Sequence, residues 1–195
     1  MSYDFFFFLN SILLGVGLAM DAFSVSIANG LAEPGMKKSK QMAMSGTYAV
    51  FQFLMPMIGW VCVHTLVEYF TAFQKFIPWI ALALLGYIGG SMLYEGIRNK
   101  KTGDPTEHPV RARDILIQGI ATSIDALSVG FTISDYGVDM ALCASLIIAL
   151  VTFGLCMAGG AIGKKFGMKL AGKASILGGI ILIGIGIEIF LRGIL

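Results

Sequence analysis

The chain has 195 residues, 56% hydrophobic and only 13% charged, with a mean hydropathy of +0.81. A water-soluble domain keeps about a quarter of its residues charged, so this composition excludes one and points to a chain solvated by lipid. The net charge of +2 is small as a total, and what matters is where the basic residues fall.

A membrane-crossing helix needs about 20 mostly apolar residues, and six stretches qualify. The first is Phe5–Leu31. No Lys or Arg precedes it, unlike the basic head of a cleavable secretory signal, so it is expected to be retained. It carries Asp21, Ser24 and Asn29 in its second half. The second, Gln41–Thr65, holds Gln52 and Pro56. Proline lacks an N–H, so the carbonyl four residues back, on Gln52, loses its helical donor. The third, Phe76–Tyr94, ends on Glu95, with Arg98 at i+3. The segment from Asn99 to Arg113 is polar, contains two prolines and falls midway along the chain. The fourth span, Ile115–Ser134, is expected as one helix carrying Thr122, Ser123, Asp125, Ser128 and Thr132. The fifth, Met140–Gly163, contains Thr152, and the sixth, Ala174–Phe190, contains Glu188 with Arg192 at i+4. Cys62, Cys143 and Cys156 lie inside apolar stretches with no CxxC spacing, so packing explains them better than disulfides or zinc.

Twelve of the fourteen basic residues fall in the first, third and fifth connections, and only Lys75 and Arg192 fall on the other side. By the positive-inside rule both termini should be extracytoplasmic. The lysines are thereby explained by topology, and no nucleic-acid partner is expected.

The chain repeats itself. Gly15-Val-Gly-Leu-Ala-Met-Asp21-Ala-Phe-Ser24-Val25 aligns with Gly119-Ile-Ala-Thr-Ser-Ile-Asp125-Ala-Leu-Ser128-Val129, with five of eleven positions identical, both acids and both serines among them. Phe53, Met57 and Gly59 then match Phe153, Met157 and Gly159, and Leu84, Gly86, Ile88 and Glu95 match Leu177, Gly179, Ile181 and Glu188. Three spans per copy is an odd number, so the second copy enters from the opposite side. The expected fold is an all-α membrane protein, six transmembrane helices built as two inverted three-helix repeats. Residues 1–98 form the first, 99–113 a cytoplasmic linker and 114–195 the second. Such repeats place a transporter's substrate site near the midplane, at the repeat interface.

Each acid at mid-membrane costs about 2.5–3.5 kcal/mol on insertion scales, and neither span contains a Lys or Arg to neutralise it. Ser24 and Ser128 stand one turn beyond each acid on the same helix face. Two carboxylates with hydroxyl, amide and carbonyl oxygens suit a hard divalent cation such as Mg, Ca or Mn. The candidate ligands are Asp21, Asp125, Ser24, Ser128 and Gln52, followed by Glu95, Asn29 and Thr152. Burial favours the neutral carboxyl, so protons could replace the metal, and exchange of protons for one divalent ion is the expected mechanism. Bland readings stand beside these. The acids could bond serines across a helix interface, Pro56 could mark a simple kink, and Glu95 and Glu188 could form interfacial ion pairs with Arg98 and Arg192. Rival functions are export of another divalent cation or of a small amino acid-like solute, and passive conduction. An intramembrane aspartyl protease also uses two acids, but lacks support from the Ala-Met and Ser-Ile that precede them.

Met20-Asp-Ala-Phe-Ser-Val-Ser-Ile-Ala28, Ala121-Thr-Ser-Ile-Asp-Ala-Leu-Ser-Val-Gly130, Pro56-Met-Ile-Gly-Trp60, Tyr94-Glu-Gly96 and Ile176-Leu-Gly-Gly-Ile-Ile-Leu-Ile-Gly-Ile-Gly186 together resemble the bacterial MntP family of manganese exporters, over essentially the whole length. The resemblance implies a non-enzymatic Mn²⁺ efflux protein of the bacterial plasma (inner) membrane, distantly related to the lysine-exporter superfamily. It implies Asp21 and Asp125 as the family's intramembrane acids, Mn²⁺ as cargo and no cofactor. Some members of that family have an acid where this chain has Gln52 and a Glu where it has Ser175.

Overall fold

The computed structural model describes residues 4–65, 77–102, 109–170 and 174–194. Lys75 and residues 103–108 of the polar linker therefore lie outside the described residues, as do the side chains of Glu95 and Ser175. The elements are α1 (Phe5–Ala32), α2 (Lys38–Thr65), α3 (Ile77–Thr102), α4 (Ala112–Thr122), α5 (Ile124–Thr132), α6 (Val138–Leu170) and α7 (Ala174–Ile194).

Local chemistry sets several boundaries. Asp4 caps α1, its side chain accepting from the Phe7 N–H at 2.9 Å, one of the donors that a helix start leaves without an internal partner. Pro34 disfavours helical backbone at Glu33, which closes α1 with φ −129° and ψ 76°. At the start of α4, Asp114 Oδ2 accepts from the Arg111 N–H at 3.1 Å. α2 continues through Pro56, which is buried inside it.

One expectation needs correction. The fourth span is not one helix but two, α4 and α5, hinged at Ser123. The Ser123 N–H reaches back only three residues, to Ile120 O at 3.2 Å. The Ala126 N–H, which in an unbroken helix would donate to Thr122 O, donates to Asp125 Oδ1 at 2.9 Å. A short acidic side chain has outcompeted the helix ladder. Of the six expected spans, three among the described residues are long and apolar enough to cross a membrane: Phe5–Ala32, Lys38–Val63 and Val138–Gly167. In α7 the apolar helix is the shorter Ile176–Ile185. The chain is thus an all-α, multi-pass membrane protein.

The packing is consistent with inverted repeats. α1 lies along α6 and α5 along α2, so each acid-bearing helix rests on the second helix of the other repeat. α2 crosses α6, and α3 pairs with α7, where the Trp79 and Phe190 rings meet edge-to-face at 4.6 Å. Glycines at matching positions allow the close approaches. A methyl at Gly59 would stand 2.1 Å from Leu127 O, and one at the aligned Gly159 would stand 2.8 Å from the aligned Phe23 O. Gly15 against Ile148 and Val151 is likewise mirrored by Gly119 against Tyr48 and Phe51. Small residues let helix backbones meet where lipid supplies no hydrophobic drive.

The ends of the bundle differ. At one, Lys40 pairs with Glu33, whose Oε2 also accepts from the Val110 N–H at 2.7 Å, and Lys164 Nζ donates to Met36 O. The basic connections therefore gather there. At the other, Trp60 Nε1 donates to Tyr136 O at 3.1 Å and the Tyr136 ring lies 5.6 Å from that of Phe7.

Candidate functional site

Gln52 joins the two acid-bearing helices. Its side chain is fully buried, and Nε2 donates to Leu18 O at 3.2 Å and to Thr122 O at 3.1 Å. Leu18 and Thr122 are aligned positions of the two repeats, each three residues before its acid. One amide thus holds equivalent carbonyls of both copies. At Thr122 it supplies the donor that Ala126 has withdrawn, which is how a broken helix inside the bundle keeps its backbone satisfied. With both amide hydrogens committed, Gln52 Oε1 is turned away and has no hydrogen-bond partner, and neither does the buried Ser123 hydroxyl at the break. Buried oxygens without donors call for an explanation, and the hydroxyls of Ser45 and Ser145, an aligned pair on α2 and α6, stand likewise.

The acids sit on opposite sides of this bridge. α1 and the α4–α5 pair run past α2 in opposite directions, so Asp21 lies a turn toward the basic end and Asp125 a turn toward the other. Asp21 and Ser24 are half-buried, whereas Asp125, Ser128 and Thr132 share an exposed face of α5. Thr152, aligned with Gln52, is buried but uses its hydroxyl proton on its own helix, at Ile148 O, 2.9 Å. Among the described residues no three His, Cys, Asp or Glu side chains come together. A cation here would be held by carboxylates one at a time or in a pair, completed by neutral oxygen.

Asn29 is engaged elsewhere. Its Nδ2 donates to Tyr48 Oη at 2.9 Å and Gln118 Oε1 at 2.7 Å, with Met44 Sδ at 3.4 Å, while its Oδ1 accepts from Gln118 Nε2 at 3.2 Å. Tyr48 Oη donates to Gln118 Oε1 at 2.7 Å. Sequence reasoning missed Tyr48 and Gln118. The available signal was a Gln inside an apolar span, two turns before Asp125.

Residues 35–190 match a protein family described as "Mntp: Putative manganese efflux pump". The chain belongs to the MntP family. Relatives bearing the MntP name occur in Ruminiclostridium cellulolyticum, 40% identical over 93% of this chain and 94% of the relative. Others occur in Gloeothece citriformis, 39% identical over 94% and 95%, and in Methanosarcina mazei, 38% identical over 93% and 95%. No solved structure matches the chain. Membership makes this MntP-family chain a transporter rather than an enzyme.

Proposed function

We propose that the protein exports Mn²⁺ from the cytoplasm in exchange for protons, along a path where Asp21 and Asp125 receive the ion on either side of Gln52. The supporting observation is the Gln52 amide, bound to the carbonyl one turn before each acid and left with an unpartnered Oε1. The family name supports manganese as the cargo, and the oxygen-rich, thiolate-free donor set suits it. Ser24 and Ser128 supply further oxygen one turn beyond each acid. On this reading α4 and α5 together make one interrupted span and α3 and α7 complete six. Residues 1–98 and 114–195 are then the two inverted repeats, joined by a cytoplasmic linker, with both termini outside and the basic end of the bundle in the cytoplasm of the cell.

Discontinuous helices are a recurring way to present backbone oxygen to a cation at mid-membrane. The Ser123 break is such an interruption, and the half-helix α4 ends there with its carbonyls toward the gap. An ion leaving Asp21 would meet Gln52 Oε1 before Asp125, so charge is never far from oxygen.

The test is manganese sensitivity of cells expressing wild type, Asp21→Asn or Asp125→Asn. Asn keeps size and hydrogen bonding while removing the charge, and either change is expected to abolish protection. Full protection by both variants would end the site assignment. In proteoliposomes Mn²⁺ movement should acidify or alkalinise the lumen in step. Transport indifferent to pH with no proton flux would leave the acids a role in binding but remove the exchange.

A further inference from the structure

We infer that Asn29, Tyr48 and Gln118 form a hydrogen-bonded gate that closes the basic end of the path. The three side chains come from α1, α2 and α4, so opening that end by moving any one helix breaks their bonds. They are 0–1% exposed and satisfy one another inside an apolar cluster containing Val25, Met44 and Cys156. Nothing in that arrangement is charged. Their location is on the side of Gln52 where Glu33, Lys40 and Lys164 tie the connections together.

The repeat alignment shows that this is not mere architecture. The positions matching Asn29, Tyr48 and Gln118 in the opposite copy are Ile133, Ile148 and Leu14. Those residues share a hydrophobic cluster with Leu18, Ala126 and Val129, against which Trp60 and Tyr136 pack. At these three positions one fold, used twice, therefore carries two amides and a phenol at one end and aliphatic side chains at the other. An apolar seal opens only by separating, with water filling the gap. A polar seal can open by exchange, each internal hydrogen bond being replaced by one to water or to an entering hydrated cation. Asn29 Oδ1, Gln118 Oε1 and Tyr48 Oη would face that cation as neutral oxygens, which strip hydration without trapping the ion. Ions would enter past this polar seal and leave past the apolar one.

The gate gives purpose to the transport reading above and rests on it for direction, but its test needs no transport. Cys156 shares the cluster with Tyr48 and is fully buried, so in a Cys62→Ser/Cys143→Ser background it reports opening. A charged, membrane-impermeant thiosulfonate would be applied to inside-out and right-side-out vesicles. Cys156 is expected to react slowly and from the basic end only. Tyr48→Phe keeps the ring and should speed labelling about three- to twentyfold per hydrogen bond lost, as should Gln118→Met should Tyr48→Phe fail to fold. Leu146→Ala, on an exposed face of α6 outside both seals, should leave the rate from the basic end unchanged. Equal rates in wild type, Tyr48→Phe and Gln118→Met, or equal acceleration by Leu146→Ala, would overturn the gate. Labelling from the opposite face would overturn its position. Because Asp21→Asn and Asp125→Asn are read by efflux and this by thiol accessibility, failure of one is distinguishable from failure of the other.

Discussion

Replacing Gln52 by Leu removes both bridging donors while nearly conserving volume. Interhelical hydrogen bonds in membranes average about 0.6 kcal/mol and reach about 1.7. Two are lost, at 3.2 and 3.1 Å, so the expected cost starts near 1.2 kcal/mol. The Leu18 carbonyl lies within an unbroken helix, whereas Thr122 O sits at the α4 terminus, and Ala126 N–H already serves Asp125. Stranding that buried carbonyl adds about 1–3 kcal/mol if no water replaces the amide. A total of about 2–4 kcal/mol is therefore expected. Thr152→Val at the aligned position should cost under about 0.6 kcal/mol, because Thr152 bonds only its own helix. Reversible unfolding in mixed micelles, alongside Mn²⁺ efflux from vesicles, would measure both. If Gln52→Leu unfolds at the same denaturant mole fraction as wild type and still exports, the bridge does not hold the two repeats together.

Gly59→Ala should destabilise by about 1–3 kcal/mol, since its methyl would meet Leu127 O at 2.1 Å. Gly154→Ala, with nothing within 4 Å, should be neutral or slightly stabilising, as Ala is the better helix former. Equal effects in the unfolding assay would refute the close-approach argument. Trp60→Phe removes the bond to Tyr136 O, and amide exchange in the Ser134–Gly137 turn should quicken about threefold, from the same average of about 0.6 kcal/mol. Unchanged exchange there would show the turn is held by other contacts. Glu33→Ala frees the Val110 N–H and should accelerate its exchange, whereas Lys40→Ala should have a smaller, salt-sensitive effect of under about 1 kcal/mol because Lys40 is one-third exposed. A larger Lys40 effect at high salt would contradict that ranking.

Helix positions were largely legible because the bilayer's thickness is written into the length of apolar runs. Phe5–Leu31, Gln41–Thr65 and Met140–Gly163 sit inside α1, α2 and α6, which extend one to several residues further at their basic ends. Lysines continue a helix into the interface without being apolar, so hydropathy ends the helix too early. The interruption at Ser123 was not legible. No Gly or Pro marks it, and it depends on a carboxylate next door taking one N–H and an amide 70 positions away replacing it. Gln52 was picked out with Pro56 for a freed backbone carbonyl and a side-chain amide on one turn; the structure employs the amide, and α2 continues through the proline. Asn29 looked like an extra oxygen for the acids because it shares their helix. Its true partners lie on α2 and α4, and pairing across helices is invisible to a one-dimensional reading.

The resting of α1 upon α6 also bears on how the protein is made. The main neighbour of α1 begins at Val138, roughly a hundred residues after α1 ends. At about 5–20 residues per second, ribosomes need roughly 5–20 s to reach it. For that interval Asp21 waits in the insertion machinery or the lipid without its final surroundings. A nascent chain released before α6 should therefore be a preferred target of membrane quality-control proteases, and the two halves, expressed as separate polypeptides, should accumulate only together.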